Sequence, residues 1–235
     1  MSARPIPCIL LLVALAAACG PEPAAERGRA LSSDPRLSQS PSNVFSCTTC
    51  HATSAAEQEA RRLPGHPLVG AAARPTFWGG GQSYLLDAVN QCLVDFMRGE
   101  HLGPEDPQGL ALLAYLRSLA PSSPEAALPC TVVRNVDSVY LASLPAGDAA
   151  RGEAAYQKAC AYCHGRPHTG EGKLGPRIST LPEDTVASFG AMAKSIALEK
   201  VRHGKYFSIG GVMPLYCTEV LPDAELADIA AYLLP

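Results

Sequence analysis

The sequence predicts an all-α protein made of two helical domains in tandem. Its 235 residues are enough for one or two domains. A short motif, Cys-x-x-Cys-His, occurs once in each half of the chain, and each half ends in a segment whose apolar residues have helical spacing. These apolar residues are Leu112, Tyr115, Leu116 and Leu119 in the first half, and Leu226, Ile229, Ala230 and Leu233 in the second. The sequence therefore predicts two diverged repeats of one helical plan.

The composition limits both the cores and the partners. The chain has only five Phe, eight Tyr and one Trp, against 20 Gly and 21 Pro. Two small domains with so few large side chains would struggle to fill their own cores, so another group is expected to contribute volume. The net charge is −3 at pH 7 and no run of Lys or Arg is present. Because nucleic-acid recognition needs a basic stripe, nucleic acid is excluded as a partner.

The amino terminus predicts export. Arg4 precedes ten apolar residues, 9–18, which are too few to span a bilayer as a helix. A basic residue, a short apolar stretch and small residues at its end are typical of a signal peptide, predicted here for residues 1–18. Cleavage would leave Cys19 at the new amino terminus.

The residues around Cys19 resemble a bacterial lipobox, in which the cysteine after the cleavage site is lipidated. The resemblance implies a protein anchored to a bacterial membrane and located in the periplasm. The alternative is plain cleavage after three alanines, which leaves Cys19 free. Residues 19–37, rich in Pro, Ala and Ser, predict a flexible tether.

The two Cys-x-x-Cys-His motifs indicate covalently attached haem. They comprise Cys47, Cys50 and His51 in the first half, and Cys160, Cys163 and His164 in the second. Two thiols at this spacing can bond the two vinyl groups of one porphyrin, and the adjacent histidine then ligates the iron. A zinc ribbon would place its cysteine pairs about 15–20 residues apart, whereas 109 residues lie between the pairs here. A dithiol redox motif would follow a β-rich run, which neither copy does. We therefore predict two covalent haem c groups.

The second half carries further residues of the kind found around a covalent haem. Asp148 predicts the start of a helix that leads into Cys160, and Met213 stands in a loop just before a proline. With these features, residues 146–235 resemble a class I cytochrome c domain. The resemblance implies that Met213 is the distal iron ligand and that the Pro176 carbonyl accepts the ring N–H of His164. It also implies that the terminal helices cross near Gly152, Tyr156 and Tyr232.

The first half, predicted as a domain over 38–120, departs further from this plan. Pro41 predicts that the helix before the first motif is short or absent. Pro67, which lies 16 residues after His51, is a candidate for the role that the resemblance assigns to Pro176. Residues 121–145 join the two domains and predict an ordered linker, because several valines offer apolar anchors among the prolines.

Three side chains compete for the distal position of the first haem: Cys92, Met97 and His101. Counting back from the last helix favours Met97, because it precedes Tyr115 by 18 residues and Met213 precedes Tyr232 by 19. Aligning the preceding helices instead brings Cys92 to the end of the helix and leaves Met97 short of the loop. The internal comparison therefore leaves both open.

The stretch Asn90-Gln91-Cys92, with Met97 five residues later, resembles the first haem domain of thiosulfate dehydrogenases. It also resembles the haem subunit of the Sox sulfur-oxidation system. The resemblance implies that Cys92 ligates a catalytic haem iron opposite His51. A thiolate ligand would lower the reduction potential, whereas a thioether would raise it.

The three cysteines outside the haem motifs and the amino-terminal segment bear on the same choice. A bond between Cys130 and Cys217 would leave Cys92 as a thiolate, whereas a bond between Cys92 and Cys130 would return the site to Met97. Both pairings suit an oxidising compartment.

Taken together, these features predict one-electron transfer between periplasmic or membrane redox partners. The acidic balance suits a partner with a basic docking face. The rival is oxidation of a small anionic sulfur compound at a His51/Cys92 haem, for which Arg74 or Arg98 could attract the anion. A third class, a sensor with an open haem, requires that neither Cys92 nor Met97 coordinates.

Overall fold

A computed structural model describes residues 22–119, 125–204 and 212–234. The predicted signal peptide, Cys19 and the first residues of the linker lie outside these ranges. Within them the secondary structure is α-helix and short 3₁₀ turns, with no β-strand beyond an isolated bridge between Phe77 and Gln82. The all-α prediction is confirmed. Among the described helices, none has the length and apolar character needed to cross a membrane.

The α-helices of the first half precede a linker helix, and a second set follows it. Those of the first half are α1 (Ala24–Ser33), α2 (Cys47–Cys50), α3 (Ala55–Ala60), α4 (Leu85–Asp95) and α5 (Pro107–Ser118). The linker contains α6 (Ser138–Ser143). The second half contains α7 (Ala149–Ala159), α8 (Ala161–His164), α9 (Glu183–Phe189), α10 (Ala193–His203) and α11 (Asp223–Leu233).

In the second half, α7 and α11 cross at Gly152. The Asp148 carboxylate begins α7 by accepting hydrogen bonds from the backbone N–H groups of the first turn. A Cβ on Gly152 would overlap the Asp228 carbonyl, so only glycine permits this approach. One turn later Tyr156 is fully buried, and its ring lies 6.0 Å from that of Tyr232. The predicted crossing is confirmed.

The first half repeats this crossing with a helix that the sequence did not predict. Gly28 of α1 lies against the Ala111 carbonyl and the Tyr115 Cβ of α5, as Gly152 lies against Asp228 and Tyr232. Ser32, one turn after Gly28, is buried where the second half has Tyr156. The helix that should lead into the first motif is therefore present, but it ends before Pro41.

The prediction of a flexible tether over 19–37 is accordingly wrong for its described part. Alanine is the strongest helix former, and proline is tolerated where a helix begins. Pro23 directly precedes α1, and the helix buries its Gly28 face against α5. Leu37, also within the expected tether, belongs to the core of the first half. The domain predicted to begin at residue 38 therefore includes α1.

The described part of the linker, 125–145, is anchored to the second half, as an ordered linker requires. Cys130 forms a disulfide with Cys217, and the Tyr140 hydroxyl of α6 donates a 2.6 Å hydrogen bond to the Asp223 carboxylate at the start of α11. Arg202 of α10 is fully buried behind these contacts. Its guanidinium donates to the Tyr140 hydroxyl, the Tyr216 carbonyl and the Asp223 carboxylate. A buried cation is tolerated here because its hydrogen bonds are satisfied.

We predict that Gly28→Ala destabilises the protein. The added Cβ would overlap backbone atoms of Ala111 that cannot move away. Overpacking of this kind costs about 1–3 kcal/mol, which should exceed the helix-propensity gain of about 1 kcal/mol. Denaturant unfolding of the variant measures the difference.

Gly103→Ala is the matched control, since nothing lies within 4 Å of its added Cβ. Its free energy of unfolding should change by no more than about 0.5 kcal/mol. Equal stability of Gly28→Ala and the parent protein would contradict the close crossing.

Candidate haem-binding sites

In the first half, the Cys-x-x-Cys-His motif lies on a single helical turn. The Ser46 backbone N–H donates a 3.0 Å hydrogen bond to the Thr49 hydroxyl, and this capping arrangement starts α2. The turn therefore presents both cysteines, Cys47 and Cys50, to the cavity of the first half, which they line together with His51. Burial raises the pKa of the Cys47 thiol to about 11.

The two motif histidines are oriented by the same hydrogen bond. Nδ1 of His51 donates to the His66 carbonyl at 2.6 Å, and Nδ1 of His164 donates to the Ser179 carbonyl at 2.9 Å. A carbonyl can only accept, so each Nδ1 carries the proton and each Nε2 keeps a lone pair for a metal. Burial lowers the pKa of both imidazoles, which keeps them neutral at physiological pH.

The acceptor for His164 is a correction, because the resemblance implied the Pro176 carbonyl. The turn from Gly175 to Ile178, closed by a 3.0 Å backbone hydrogen bond, holds Pro176 within it. The chain returns to the imidazole only at Ser179. In the first half the acceptor is likewise His66 and not Pro67. Both acceptors lie 15 residues after their histidine. This spacing is identical in the two halves, whereas the spacing of Pro67 and Pro176 from their histidines is not.

Gly65 is a site residue that sequence reasoning missed. A Cβ at this position would overlap Cε1, Nδ1 and Nε2 of the His51 ring. The Gly65 N–H also donates to the Cys50 carbonyl at 2.8 Å, which ties it to the motif. The His51 imidazole therefore occupies the space that a side chain at position 65 would fill. A glycine just before the acceptor residue was the only signal in the sequence.

The cavity of the first half is apolar and fits a haem. It is bounded by the motif, by one face of α4 and by Trp78 and Phe96, whose rings stack 6.0 Å apart. Arg74 also lines it, and the Arg74 Nε is buried without a hydrogen-bond partner among the described residues. An orphaned cationic donor in such a cavity is suited to an acidic group, as a haem carries in its propionates. Two thiols, a free imidazole Nε2 and this donor therefore match the cofactor.

The structure brings two of the three distal candidates into this cavity. Cys92, on the α4 face, and Met97, just after α4, both line it. His101 is exposed and is not among the lining residues. Met97 is also packed among the leucines of the core. Burial, with smaller contributions from Cys47 and Asp95, raises the pKa of the Cys92 thiol to about 12.

The disulfide settles which cysteine is free. Because Cys130 pairs with Cys217, Cys92 keeps a free thiol in the cavity. The alternative pairing of Cys92 with Cys130 is not formed. Of the two arginines considered for anion binding, Arg74 lines the cavity, whereas Arg98 is exposed and donates to the Ser42 hydroxyl at 3.3 Å.

The second site has the same proximal elements and a methionine candidate. Burial raises the pKa of Cys160 to about 12 and that of Cys163 to about 11. Met213 packs against the same apolar cluster as Cys160. Gly204, with φ of 57°, ends α10 in the left-handed region and lets the chain pass close to Met213 and Leu215. These contacts place Met213 in the core that surrounds the second motif.

Comparison with known proteins identifies one of the two halves. Residues 147–233 match the family model described as Cytochrome C oxidase, cbb3-type, subunit III. The C-terminal region is therefore a cytochrome c domain, which implies covalently bound haem c. No curated protein matches the chain.

Among solved structures, the chain is similar to the thiosulfate dehydrogenase TsdBA from Marichromatium purpuratum in its as-isolated form. The sequence identity is 20% and the TM-score is 0.43. The match covers 92% of this chain and 47% of that chain, so this protein spans about half its length.

We predict that Gly65→Ala displaces the His51 ring and weakens iron ligation at one haem only. The added Cβ and the imidazole cannot occupy the same space, and such overpacking costs about 1–3 kcal/mol. The oxidised absorption spectrum should lose part of its low-spin signal, with the second haem intact. Gly103→Ala should keep the parent spectrum, and an unaltered spectrum for Gly65→Ala would show that the contact is unimportant.

Proposed function

We propose that this protein is an exported dihaem c-type cytochrome that carries single electrons between redox partners. The observation that supports it is the repeated proximal site, in which each half-buried motif histidine donates Nδ1–H to a carbonyl 15 residues away. A bound haem supplies an iron that accepts and releases one electron. Cys47 and Cys50, or Cys160 and Cys163, would hold the porphyrin covalently, and His51 or His164 would offer its Nε2 to the iron.

The distal side completes each proposed site. In the second half Met213 supplies a neutral thioether, which favours the reduced iron and raises the potential. In the first half Cys92 or Met97 is the sixth ligand, and the Cys130–Cys217 pairing supports Cys92 by leaving its thiol free.

Export to the periplasm belongs to the same proposal. A disulfide between Cys130 and Cys217 is the chemistry of an oxidising compartment. The amino-terminal pattern supports a signal peptide, with lipidation of Cys19 or plain cleavage as its two outcomes. Partners would be soluble or membrane-bound redox proteins with a basic docking face, since the chain is acidic overall.

The protein should carry two covalent haems. A pyridine haemochrome assay on the purified protein should give two haems per chain, because both motifs present buried thiols and a free imidazole Nε2. Replacing Cys47 and Cys50 by Ala should remove one haem, and replacing Cys160 and Cys163 should remove the other. A single haem in the parent protein would overturn the dihaem proposal.

A second candidate function is oxidation of thiosulfate or a related sulfur anion. The free Cys92 thiol shares its cavity with His51, and Arg74 adds a buried, unpartnered Nε to the same cavity. In this reaction two thiosulfates join through a new S–S bond to give tetrathionate and release two electrons. The two haems together could accept both electrons, one each.

Substitutions at Cys92 and Met97 test which of them ligates the iron in the first half. We expect Cys92→Ala to change the low-spin spectrum of one haem and Met97→Leu to leave it unchanged, because the disulfide leaves Cys92 free in the cavity. The opposite pattern would make Met97 the ligand. A high-spin oxidised spectrum in the parent protein would indicate an open haem and favour a sensor.

Anaerobic thiosulfate addition to the oxidised, haem-loaded protein then separates carrier from enzyme. Reduction at a saturable rate, with tetrathionate formed, identifies the enzyme. Reduction by dithionite but not by thiosulfate leaves electron transfer as the function.

A further inference from the structure

The two halves of the protein meet at one buried tyrosine. Tyr216 lies in the stretch 212–217, which has no regular secondary structure and lies between α10 and α11, and it is 5% exposed. Its hydroxyl lies 2.7 Å from the carbonyl of Ala159, the residue before Cys160. The same hydroxyl lies 3.1 Å from the carbonyl of Arg62, which belongs to the first half. The single phenol proton is therefore shared between one carbonyl of each half.

The Tyr216 phenol is buried and protonated. Burial raises the pKa of Tyr216 well above its ordinary value. The phenol therefore keeps its proton at physiological pH and remains a hydrogen-bond donor.

Hydrogen bonds with Val201 and Arg202 fix the backbone of Tyr216. Its N–H donates to the Val201 carbonyl at 2.9 Å, and its carbonyl accepts from the buried guanidinium of Arg202 at 3.1 Å. The next residue, Cys217, is covalently joined to Cys130. The ring is therefore attached to a segment that is fixed on several sides.

The same segment forms part of both sites. Met213 and Tyr216 pack into the core of the second half, whereas Pro214, Leu215 and Cys217 line the cavity of the first. The stretch that presents the proposed Met213 ligand is thus also a wall of the other haem site. Tyr216 is the residue of this stretch whose hydroxyl lies within hydrogen-bond distance of carbonyls in both halves.

We propose that Tyr216 is a positioning residue that locks the first half to the segment leading into Cys160 and so fixes the geometry for direct electron transfer between the haems. The inference rests on the proposed dihaem function. In the transfer, one electron leaves a ferrous iron and reduces the ferric iron of the other haem. The phenol keeps its proton, and no covalent bond forms or breaks.

The test uses Tyr216→Phe in the protein that carries both haems. The Arg62 N–H donates to the Lys158 carbonyl at 2.9 Å, a backbone bond between the halves, so its hydrogen exchange reports their separation. Loss of the phenol leaves two partly buried carbonyls without this donor, and Arg62 exchange should become about tenfold faster. Electron transfer between the haems after photoreduction should be slower.

Tyr156→Phe is the matched control. Tyr156 is also a buried tyrosine whose hydroxyl donates to a backbone carbonyl, that of Gly165 at 2.8 Å, but both residues belong to the second half. Its removal should lower the stability of that half and leave Arg62 exchange unchanged. Equal acceleration in both variants would mean general loosening and would overturn the inference.

A second variant, Glu225→Gln, removes an exposed ion pair from the same contact. Arg62 also forms a 2.8 Å ion pair with Glu225, and the two side chains are 45% and 32% exposed. Because exposed pairs contribute little, Glu225→Gln should affect exchange less than Tyr216→Phe. An equal effect would show that the interface as a whole, and not Tyr216, forms the lock.

The number of haems distinguishes failure of the Tyr216 lock from failure of the dihaem function. Two haems with unchanged exchange and unchanged interhaem transfer in Tyr216→Phe would overturn the lock and leave the dihaem function standing. One haem in the parent protein would remove the dihaem function and, with it, the proposed transfer.

Discussion

Each half of the protein depends on a close approach between its first and last helices through a glycine. Gly28 and Gly152 place the backbone of one helix against that of the other, a distance at which any side chain would overlap a carbonyl. This contact fixes where the first helix ends. In the second half that end leads directly into Cys160, whereas in the first half a longer connection leads to Cys47. The haem motif is thus presented from a scaffold that is fixed at its glycine crossing.

The contact between the halves has a different physical basis. It combines apolar packing with hydrogen bonds. Leu174, Ile178 and Val212 of the second half pack against the core of the first, and Arg62 pairs with Glu225 at the surface. Arg202 binds the linker, the segment after α10 and the start of α11 at once, and Tyr216 extends that network to the first half. Because unsatisfied buried groups are costly, such a network favours one arrangement of the two halves.

The halves share a proximal design and differ on the distal side. The histidine hydrogen bond has the same 15-residue spacing in both, so selection of the neutral, metal-binding tautomer is common to them. The residues proposed for the distal positions are Met213 in one half and the neighbours Cys92 and Met97 in the other. In the proposed dihaem protein, the two irons would therefore differ most through this ligand. A thiolate opposite one iron and a thioether opposite the other would separate their potentials and give the electron a direction.

The sequence by itself determined the features encoded by residues close together in the chain. The two motifs, the Asp148 cap and the helical spacing of the last helices all follow from local chemistry and periodicity, and the Gly152 crossing was implied by the resemblance to a class I cytochrome c domain. Other features were decided only by the tertiary structure: α1 as part of the first domain, Ser179 in place of Pro176 as an acceptor, the Cys130–Cys217 pairing and the contacts of Tyr216. Each of these depends on how the chain returns to a distant residue. A tether and a packed helix can have the same composition, and they differ only in whether a partner surface such as α5 is there to bury one face.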